Sequence, residues 1–451
     1  MSMPGPGLSR RAFTVSAATV ITAAVAGCGN ARTSPPAPPS AGAADDAARR
    51  PSVSDVQVSH DAFSGHIEPW LAVNPRRPGN LVAVSRAFQG PALGLASYVS
   101  FDGGASWHGN GQLPGVADVF DGNPTVAFDA AGRCYACGLT GRDVRQQQGY
   151  VLVWRSGDGG RTFLPPVTAV NGFLDHPSLA ADPAPGSAAG HLYLAGTFYN
   201  SPRNGLGFTR SGDGGRTFEP PRFPDPVTGT LGVLPVTAAG PGGAVHIMYF
   251  VPAPDGRSGL VKVITSTDYG ATFASPATLP LHAVSPPTPG NVITRCGPAL
   301  AAAPDSSAVY AAIATYDPAA GRSAIQLCHS PDQGRTWNPP VTVASSRQAV
   351  YFMPQVAAAT HGRAAVSAFA LAGGRVEVLL FASRPGHPGF GSALRVTASP
   401  FDPAVGTSTG TGTYWLGNYQ GLAAGPGSFH PIWTDTRTGQ TQIFTAAIPV
   451  S

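Results

Sequence analysis

Three acidic residues, Glu68, Asp121 and Asp175, stand at the start of short apolar segments with similar sequences. Two carboxylates held about 5 to 9.5 Å apart are the pair with which many enzymes cleave a glycosidic bond, one as the acid and the other as base or nucleophile. The three residues are therefore candidate catalytic groups, provided that the fold brings two of them together.

Polar and aromatic residues also occupy the approaches to the other apolar segments of this type. Aromatic rings stack on sugars or peptides, and a few fixed polar groups orient a bound ligand. Positions that begin a strand are also polar simply because they are solvated, and that explanation stays open. The candidate ligand-binding residues are Trp70, Asn123, His176, Arg295, Tyr351, Trp415, Asn418, Tyr419, Gln420, Asp435 and Arg437.

The apolar segments themselves form a repeat. They read EPWLAV, NPTVAF, HPSLAA, LPVTAA, GPALAA and MPQVAA, with a proline at the second position of each. Self-similarity at a fixed period is the signature of a repeat architecture, in which each unit cannot bury its apolar face alone. The candidate residues should therefore be held by equivalent strands of successive units.

A second motif, SxDxGx followed by Ser or Thr and an aromatic residue, runs in phase with the first. Each copy follows its proline by 33 to 36 residues, and the copies are 56, 55, 55 and 64 residues apart. A motif that occurs once per unit cannot converge on one site, so we interpret it as a structural turn in which Gly takes a positive φ and Ser and Asp accept backbone N–H groups. The aspartates are Asp102, Asp158, Asp213, Asp268 and Asp332.

Each unit of about 57 residues has room for four short antiparallel strands, which predicts an all-β β-propeller. We favour seven blades, with six as the alternative. The sixth unit has a decayed turn motif, with Pro385 in place of the aspartate. The seventh unit ends one strand short, and the segment that starts at Val53 is predicted to supply the missing strand and close the ring.

The five turn motifs match the Asp-box repeat, and residues 52–451 resemble the sialidase-like β-propeller superfamily. The resemblance implies a central channel whose mouth lies on the face opposite the boxes. True sialidases use an arginine triad and a tyrosine nucleophile with a glutamate partner. Here the stretch His66–Pro69 lacks the first arginine, and Glu68, Glu219 and Glu377 are the only glutamates, so sialic acid hydrolysis is not expected.

From this resemblance we expect the protein to bind a glycan or cell-envelope ligand at the channel mouth, with hydrolysis as a possible extension of binding. A fold of this kind does not determine an activity. A non-catalytic protein-interaction or assembly platform is therefore the alternative. No cofactor and no metal site are predicted, and the oligomeric state is left open.

The N-terminal segment is predicted to be an export signal. Residues 1–28 combine a twin-arginine pattern at Arg10 and Arg11, a weakly apolar run and Cys28 after small residues, which resembles a lipoprotein leader. Residues 29–51 are rich in Pro and Ala and read as a flexible tether. The protein is therefore expected on the outer face of a bacterial plasma membrane, attached to it through the lipid alone.

The charge of the chain bears on whether it binds nucleic acid. The net charge is +4 with 12% charged residues, and Lys262 is the only lysine. Nucleic-acid binding is not predicted, because the basic residues are scattered.

Cys134 and Cys137 fall in an apparent strand, where positions three apart point to opposite faces. Cys296 and Cys328 are expected to form a disulfide in an oxidising compartment.

Overall fold

The computed structural model describes residues 53–89, 92–115, 120–143, 148–198, 205–225, 233–255, 257–383, 389–406 and 412–449. These residues form seven antiparallel sheets joined by turns and three short 3-10 turns, Gly186–Ala188, Pro241–Gly243 and Pro289–Asn291. The predicted leader and tether, with Cys28, and the decayed motif at Pro385 lie outside the described residues. No helix in the described ranges is long and apolar enough to cross a membrane.

Strands β1 to β12 make the first three blades and one strand of the last. They are β1 (Asp55–Gln57), β2 (Gly65–Val73), β3 (Leu81–Gln89), β4 (Ala92–Ser100), β5 (His108–Gln112), β6 (Phe120–Phe128), β7 (Cys134–Asp143), β8 (Gln148–Ser156), β9 (Val167–Asn171), β10 (Leu174–Ala181), β11 (Leu192–Phe198) and β12 (Gly205–Ser211).

The remaining strands make the other four blades. They are β13 (Val233–Ala239), β14 (Val245–Pro252), β15 (Ser258–Ser266), β16 (Ala277–Val284), β17 (Ala299–Ala302), β18 (Val309–Asp317), β19 (Arg322–Ser330), β20 (Val341–Ser346), β21 (Val350–Ala358), β22 (Ala364–Ala372), β23 (Arg375–Ala382), β24 (Leu394–Arg395), β25 (Gly421–Ala424), β26 (Ser428–Asp435), β27 (Gln442–Ala446) and β28 (Ile448–Pro449).

The sheets confirm a seven-bladed propeller. Blades 1, 2, 4, 5 and 6 each contain four consecutive strands in chain order, starting from β2, β6, β13, β17 and β21. Blade 3 has three strands, β10 to β12, and an isolated bridge between Phe208 and Arg222 marks the place of the fourth. In blade 7, β1 pairs antiparallel with β27, so the early segment closes the ring as predicted.

Apolar packing between neighbouring blades holds the ring together. The buried apolar residues fall into seven clusters, each of which joins two adjacent blades. Cys134 belongs to the cluster between blades 1 and 2, whereas Cys137 belongs to the cluster between blades 2 and 3. The two thiols therefore face opposite sides of β7, as the strand period predicts.

The five turn motifs adopt one geometry. In the first, Ser100 Oγ donates to Asp102 Oδ1 at 2.8 Å and accepts from the Gly104 N–H, while Ser106 donates to the other carboxylate oxygen. Each motif joins the third strand of its blade to the fourth. The β-ladder sets Ser100 level with Leu81 and Val73, at the far end of the inner strand from its start. The turns therefore lie on the face opposite the starts of the inner strands.

The expected disulfide is wrong, because all four cysteines of the described residues are free. Cys328 packs into the apolar cluster between blades 4 and 5. Cys296 lies instead in the loop that leads into β17, where its sulfur approaches Ser285 Oγ at 3.9 Å. The two side chains therefore lie in different surroundings. Burial raises the pKa of both thiols to about 11.

Candidate functional site

A β-bulge interrupts the inner strand at the residue before the repeated proline. The register shifts there in β2, β6, β10, β13 and β21. The residue at the bulge takes a left-handed conformation in each of these blades, and Gly297 does so ahead of β17. These residues are Glu68 (φ 56°), Asn123 (φ 53°), His176 (φ 52°), Leu234 (φ 53°), Gly297 (φ 55°) and Met353 (φ 47°).

The bulge changes the expected position of the candidate residues. Glu68, Asn123 and His176 lie inside their strands and not in the loops before them. A left-handed conformation costs about 1 to 2 kcal/mol for a residue with a Cβ, and bulges of this kind re-aim side chains next to functional sites. Among the residues in this conformation, His176, Leu234, Gly297 and Met353 line the central cavity.

The side chains around the bulge line one cavity at the centre of the ring. Its volume is about 50 Å³. A water molecule needs roughly 10 to 15 Å³ measured in this way, so the cavity holds a few waters or a small substituent but not a sugar ring. The lining residues are Trp70, Thr125, His176, Pro177, Ser178, Leu234, Pro235, Val236, Gly297, Pro298, Met353, Gln355, Asn418 and Tyr419.

Glu68 is buried beneath this mouth and its carboxylate is fully occupied. Oε1 accepts from Asn418 Nδ2 at 2.6 Å, and Oε2 accepts from the backbone N–H of Asn123 at 3.2 Å. Arg86 Nη1 lies 4.0 Å from the same Oε2. Because none of the Glu68 side chain is exposed, this carboxylate cannot reach a substrate and instead holds its neighbours in place.

Arg86 is a site residue that the sequence analysis missed. It lies in β3 with its guanidinium 5.9 Å from the centre of the Trp415 ring, a cation–π distance. In sequence it is an ordinary polar residue of an alternating strand. The one available signal was that Arg86 pairs across the ladder with Ile67, immediately before the bulge.

Asp175 and His176 form an ion pair at the mouth. His176 Nδ1 lies 3.1 Å from Asp175 Oδ2, and each side chain is 17% exposed. Burial alone would lower the pKa of His176, but the adjacent Asp175 carboxylate outweighs it and raises the pKa above the usual 6.5. His176 Nε2 is buried without a hydrogen-bond partner among the described residues. The imidazole therefore keeps one nitrogen available on the cavity side.

Arg295 brings a second cation to this cluster. Its Nε atom is buried without a hydrogen-bond partner among the described residues, and its backbone carbonyl accepts from the Met353 N–H at 2.9 Å. Burial lowers the pKa of Arg295, and the negative charges of Glu68 and Asp175 offset part of this shift. A guanidinium whose buried Nε–H lacks a partner is suited to an anionic acceptor.

Comparison with solved structures gives matches that cover most of the chain at low sequence identity. A polysaccharide lyase described as an ulvan lyase of family PL25 matches at 14% identity over 87% of this chain and 96% of its own, with a TM-score of 0.54. A leech intramolecular trans-sialidase matches at 12% over 70% and 67%, with a TM-score of 0.46. The GH93 α-L-arabinofuranosidase of Fusarium graminearum matches at 12% over 88% and 97%, also at 0.46.

No protein-family model matches the chain. No curated protein matches it either. The seven-bladed ring and its recurrent Ser–Asp turns decide the fold. It is a sialidase-like β-propeller. The similar structures are glycan-acting enzymes by name, and at these identities they support the fold alone.

This sialidase-like propeller gathers several of the predicted residues and leaves others apart. Trp70, Asn123, Asn418 and Tyr419 surround Glu68 or the cavity, and the Tyr419 hydroxyl donates to Pro124 O at 2.8 Å. Gln420 is buried beside them, donating to Met353 O at 2.8 Å.

Seven of the predicted ligand-binding residues do not line the cavity: Asn123, Arg295, Tyr351, Trp415, Gln420, Asp435 and Arg437. Tyr351 is buried in the apolar cluster between blades 5 and 6. Asp435 is fully buried and accepts from Trp433 Nε1 at 3.0 Å, and the Arg437 guanidinium lies 2.8 Å from Asp55 of β1. Because Arg437 also pairs with Asp435, these residues link β26 to the closing strand β1.

The three candidate carboxylates do not form one catalytic group. Glu68 is sealed, Asp175 is paired with His176, and Asp121 is described only by its backbone in β6. No group of three or more metal-binding side chains occurs within the described ranges. The groups available to a ligand are thus the Asp175–His176 pair and Arg295.

Proposed function

We propose that the channel mouth binds an acidic saccharide through a carboxylate of a uronate residue. The observation that carries the proposal is the pair of buried, unpartnered nitrogens, His176 Nε2 and Arg295 Nε, at one mouth. Buried polar groups are nearly always hydrogen-bonded, so each donor calls for an acceptor. Asn418 and the rings of Trp70 and Tyr419 supply the polar and aromatic surroundings typical of a sugar site.

The charge of the mouth supports an anionic ligand. With His176 protonated, three cations, His176, Arg86 and Arg295, face the carboxylates of Glu68 and Asp175. A carboxylate would accept charge-assisted hydrogen bonds from Arg295 and from the protonated imidazole. The named activities of the similar structures, which include a polysaccharide lyase, agree with a glycan ligand.

Calorimetric titration tests this proposal. Uronate-containing oligosaccharides should bind, and neutral oligosaccharides of equal length should bind at least tenfold more weakly. Arg295→Gln should weaken uronate binding by roughly 10- to 100-fold, because a hydrogen bond to a charged group is worth about 1.5 to 3 kcal/mol. Arg335→Gln is the matched control, since Arg335 is exposed in the turn motif of the same blade. Equal affinity for neutral and acidic chains would contradict the proposal.

Cleavage of the bound glycan is a second candidate, favoured by the Asp175–His176 geometry. Asp175 fixes one imidazole nitrogen and leaves the other toward the cavity, which is the arrangement of a general acid or base. His176→Asn should abolish product formation, and Asn tolerates the left-handed backbone at this position. His361→Asn is the control, because exposed His361 has φ 63°. Activity retained in His176→Asn would remove this candidate.

The cellular location proposed here rests on the N-terminal sequence. Residues 1–28 would export the chain by the twin-arginine route, and lipidated Cys28 would hold it on the outer face of the plasma membrane. Cys28→Ala should release the protein from the membrane fraction and stop incorporation of labelled palmitate. Membrane retention of this variant would argue against the lipid anchor.

A further inference from the structure

The ring of bulge residues at the mouth is divided into a polar half and an apolar half. Blades 1 to 3 contribute Glu68, Asn123 and His176. Blades 4 to 6 contribute Leu234, Gly297 and Met353 at the same position. His176, Leu234 and Met353 line one cavity, so a ligand that enters it meets both halves at once.

Two residues of the apolar half have backbone conformations that bulky side chains rarely adopt. Leu234 has φ 53° and Met353 has φ 47°, a region in which Gly and Asn are far more common than bulky residues. The chain itself uses Asn123 and Gly297 at equivalent bulges. Bulky side chains retained in such a conformation point to a functional constraint.

Core packing does not explain Leu234. Met353 belongs to the apolar cluster between blades 6 and 7, but Leu234 belongs to none of the apolar clusters of the described residues. Its side chain is half-buried and lines the central cavity. Leu234 therefore presents its apolar surface to whatever occupies the mouth.

The size of the cavity restricts that occupant. A volume of about 50 Å³ is far below the roughly 300 to 1,000 Å³ typical of pockets that enclose a small molecule. A sugar ring must remain above the cavity and can send only a small substituent into it. Beside the half-buried Leu234, a methyl group gains most from leaving water.

We propose that the mouth selects an acidic saccharide that carries a methyl ether, with the methyl group packed against Leu234 in the cavity and the carboxylate held by Arg295 and His176. This inference rests on the proposed function, since it assigns a further substituent to the same ligand. A pocket that accepts one methyl group discriminates by about tenfold or more.

The probes are methyl glucuronoside and its 2-, 3- and 4-O-methyl ethers, titrated calorimetrically into the purified protein. At least one ether should bind about tenfold more tightly than the parent. Leu234→Asn should remove this preference without straining the backbone, because Asn occupies the same conformation at Asn123. Leu234→Gly is a second variant that fits the backbone. Leu164→Asn, at a leucine that is 54% exposed, should keep the preference.

The outcomes separate the two proposals. If the parent binds and no ether binds more tightly, the methyl inference is overturned while acidic-saccharide binding stands. A preference that survives in both Leu234 variants also overturns it. If neither the parent nor any ether binds, the proposed function itself fails and the inference fails with it.

Discussion

Asn418 donates a hydrogen bond of 2.6 Å to Glu68 across 350 positions of the chain. Asn418 precedes the inner strand of blade 7, Glu68 lies in blade 1, and the other carboxylate oxygen accepts from Asn123 of blade 2. One buried carboxylate thus joins three consecutive blades at the point where the ring closes. We infer that Glu68 positions the mouth and is not itself a catalytic residue.

Glu68→Ala should destabilise the fold by about 3 kcal/mol, because it removes the acceptor of the Asn418 amide and of the buried Asn123 N–H. The measurement is the free energy of unfolding in urea. Glu219→Ala is the control, since Glu219 is exposed and paired with Arg210 at the surface, and it should cost less than about 1 kcal/mol. Equal losses in the two variants would show that Glu68 is not a structural centre.

His176 should titrate above pH 6.5 in the folded protein, and NMR of the imidazole resonances measures it. Asp175→Asn should lower this pKa because the variant removes the adjacent negative charge. The raised pKa means that the imidazolium contributes fully to stability below pH 6.5 and that the contribution is lost as pH rises through the folded pKa. His430, whose pKa burial lowers to about 4, is the internal reference. A pKa of His176 below 6.5, or one that Asp175→Asn does not lower, would contradict this assignment.

The turn aspartates should make the fold sensitive to acid. The Thr272 hydroxyl and backbone hold the pKa of Asp268 at about 2, and the Thr336 backbone and hydroxyl do the same for Asp332. Depressed pKa values contribute stability above pH 3.8 that is lost as pH falls toward 2. Asp268→Asn with Asp332→Asn should flatten the dependence of melting temperature on pH in that window. An unchanged slope would show that these carboxylates do not stabilise the turns.

Strand β1 should be required for ring closure. A chain that begins at Ser59 lacks the β1 pairing with β27 and the buried Val58, whose N–H donates to Ile443 O, and it should lose about 3 kcal/mol. A chain that begins at Val53 retains the strand and should unfold as the full chain does. Denaturant titration of the three proteins measures the difference. Equal midpoints would mean that blade 7 is stable without its outer strand.

The fold could be predicted from the sequence because its motifs recur at a regular spacing. Prolines and turn motifs recur in phase, the early segment from Val53 fits the missing strand, and CxxC spacing places Cys134 and Cys137 on opposite faces. These features depend on local backbone geometry, which each repeat specifies for itself.

The mouth was harder to predict because its contacts cross between blades. Nothing in the sequence distinguishes Glu68, which is sealed by partners from other blades, from Asp175, which stays partly exposed. Arg86 was missed for the same reason. The left-handed bulges put residues inside strands that the pattern had put before them, and Arg437 turned toward Asp55 instead of the channel.

A crystal structure of the protein with a uronate-containing oligosaccharide would show which residues hold the sugar carboxylate. We expect this carboxylate within hydrogen-bonding distance of both His176 Nε2 and the Arg295 guanidinium, with the sugar ring above the cavity. A saccharide bound at the turn-motif face, or with its carboxylate directed away from both residues, would show that the proposed binding mode is wrong.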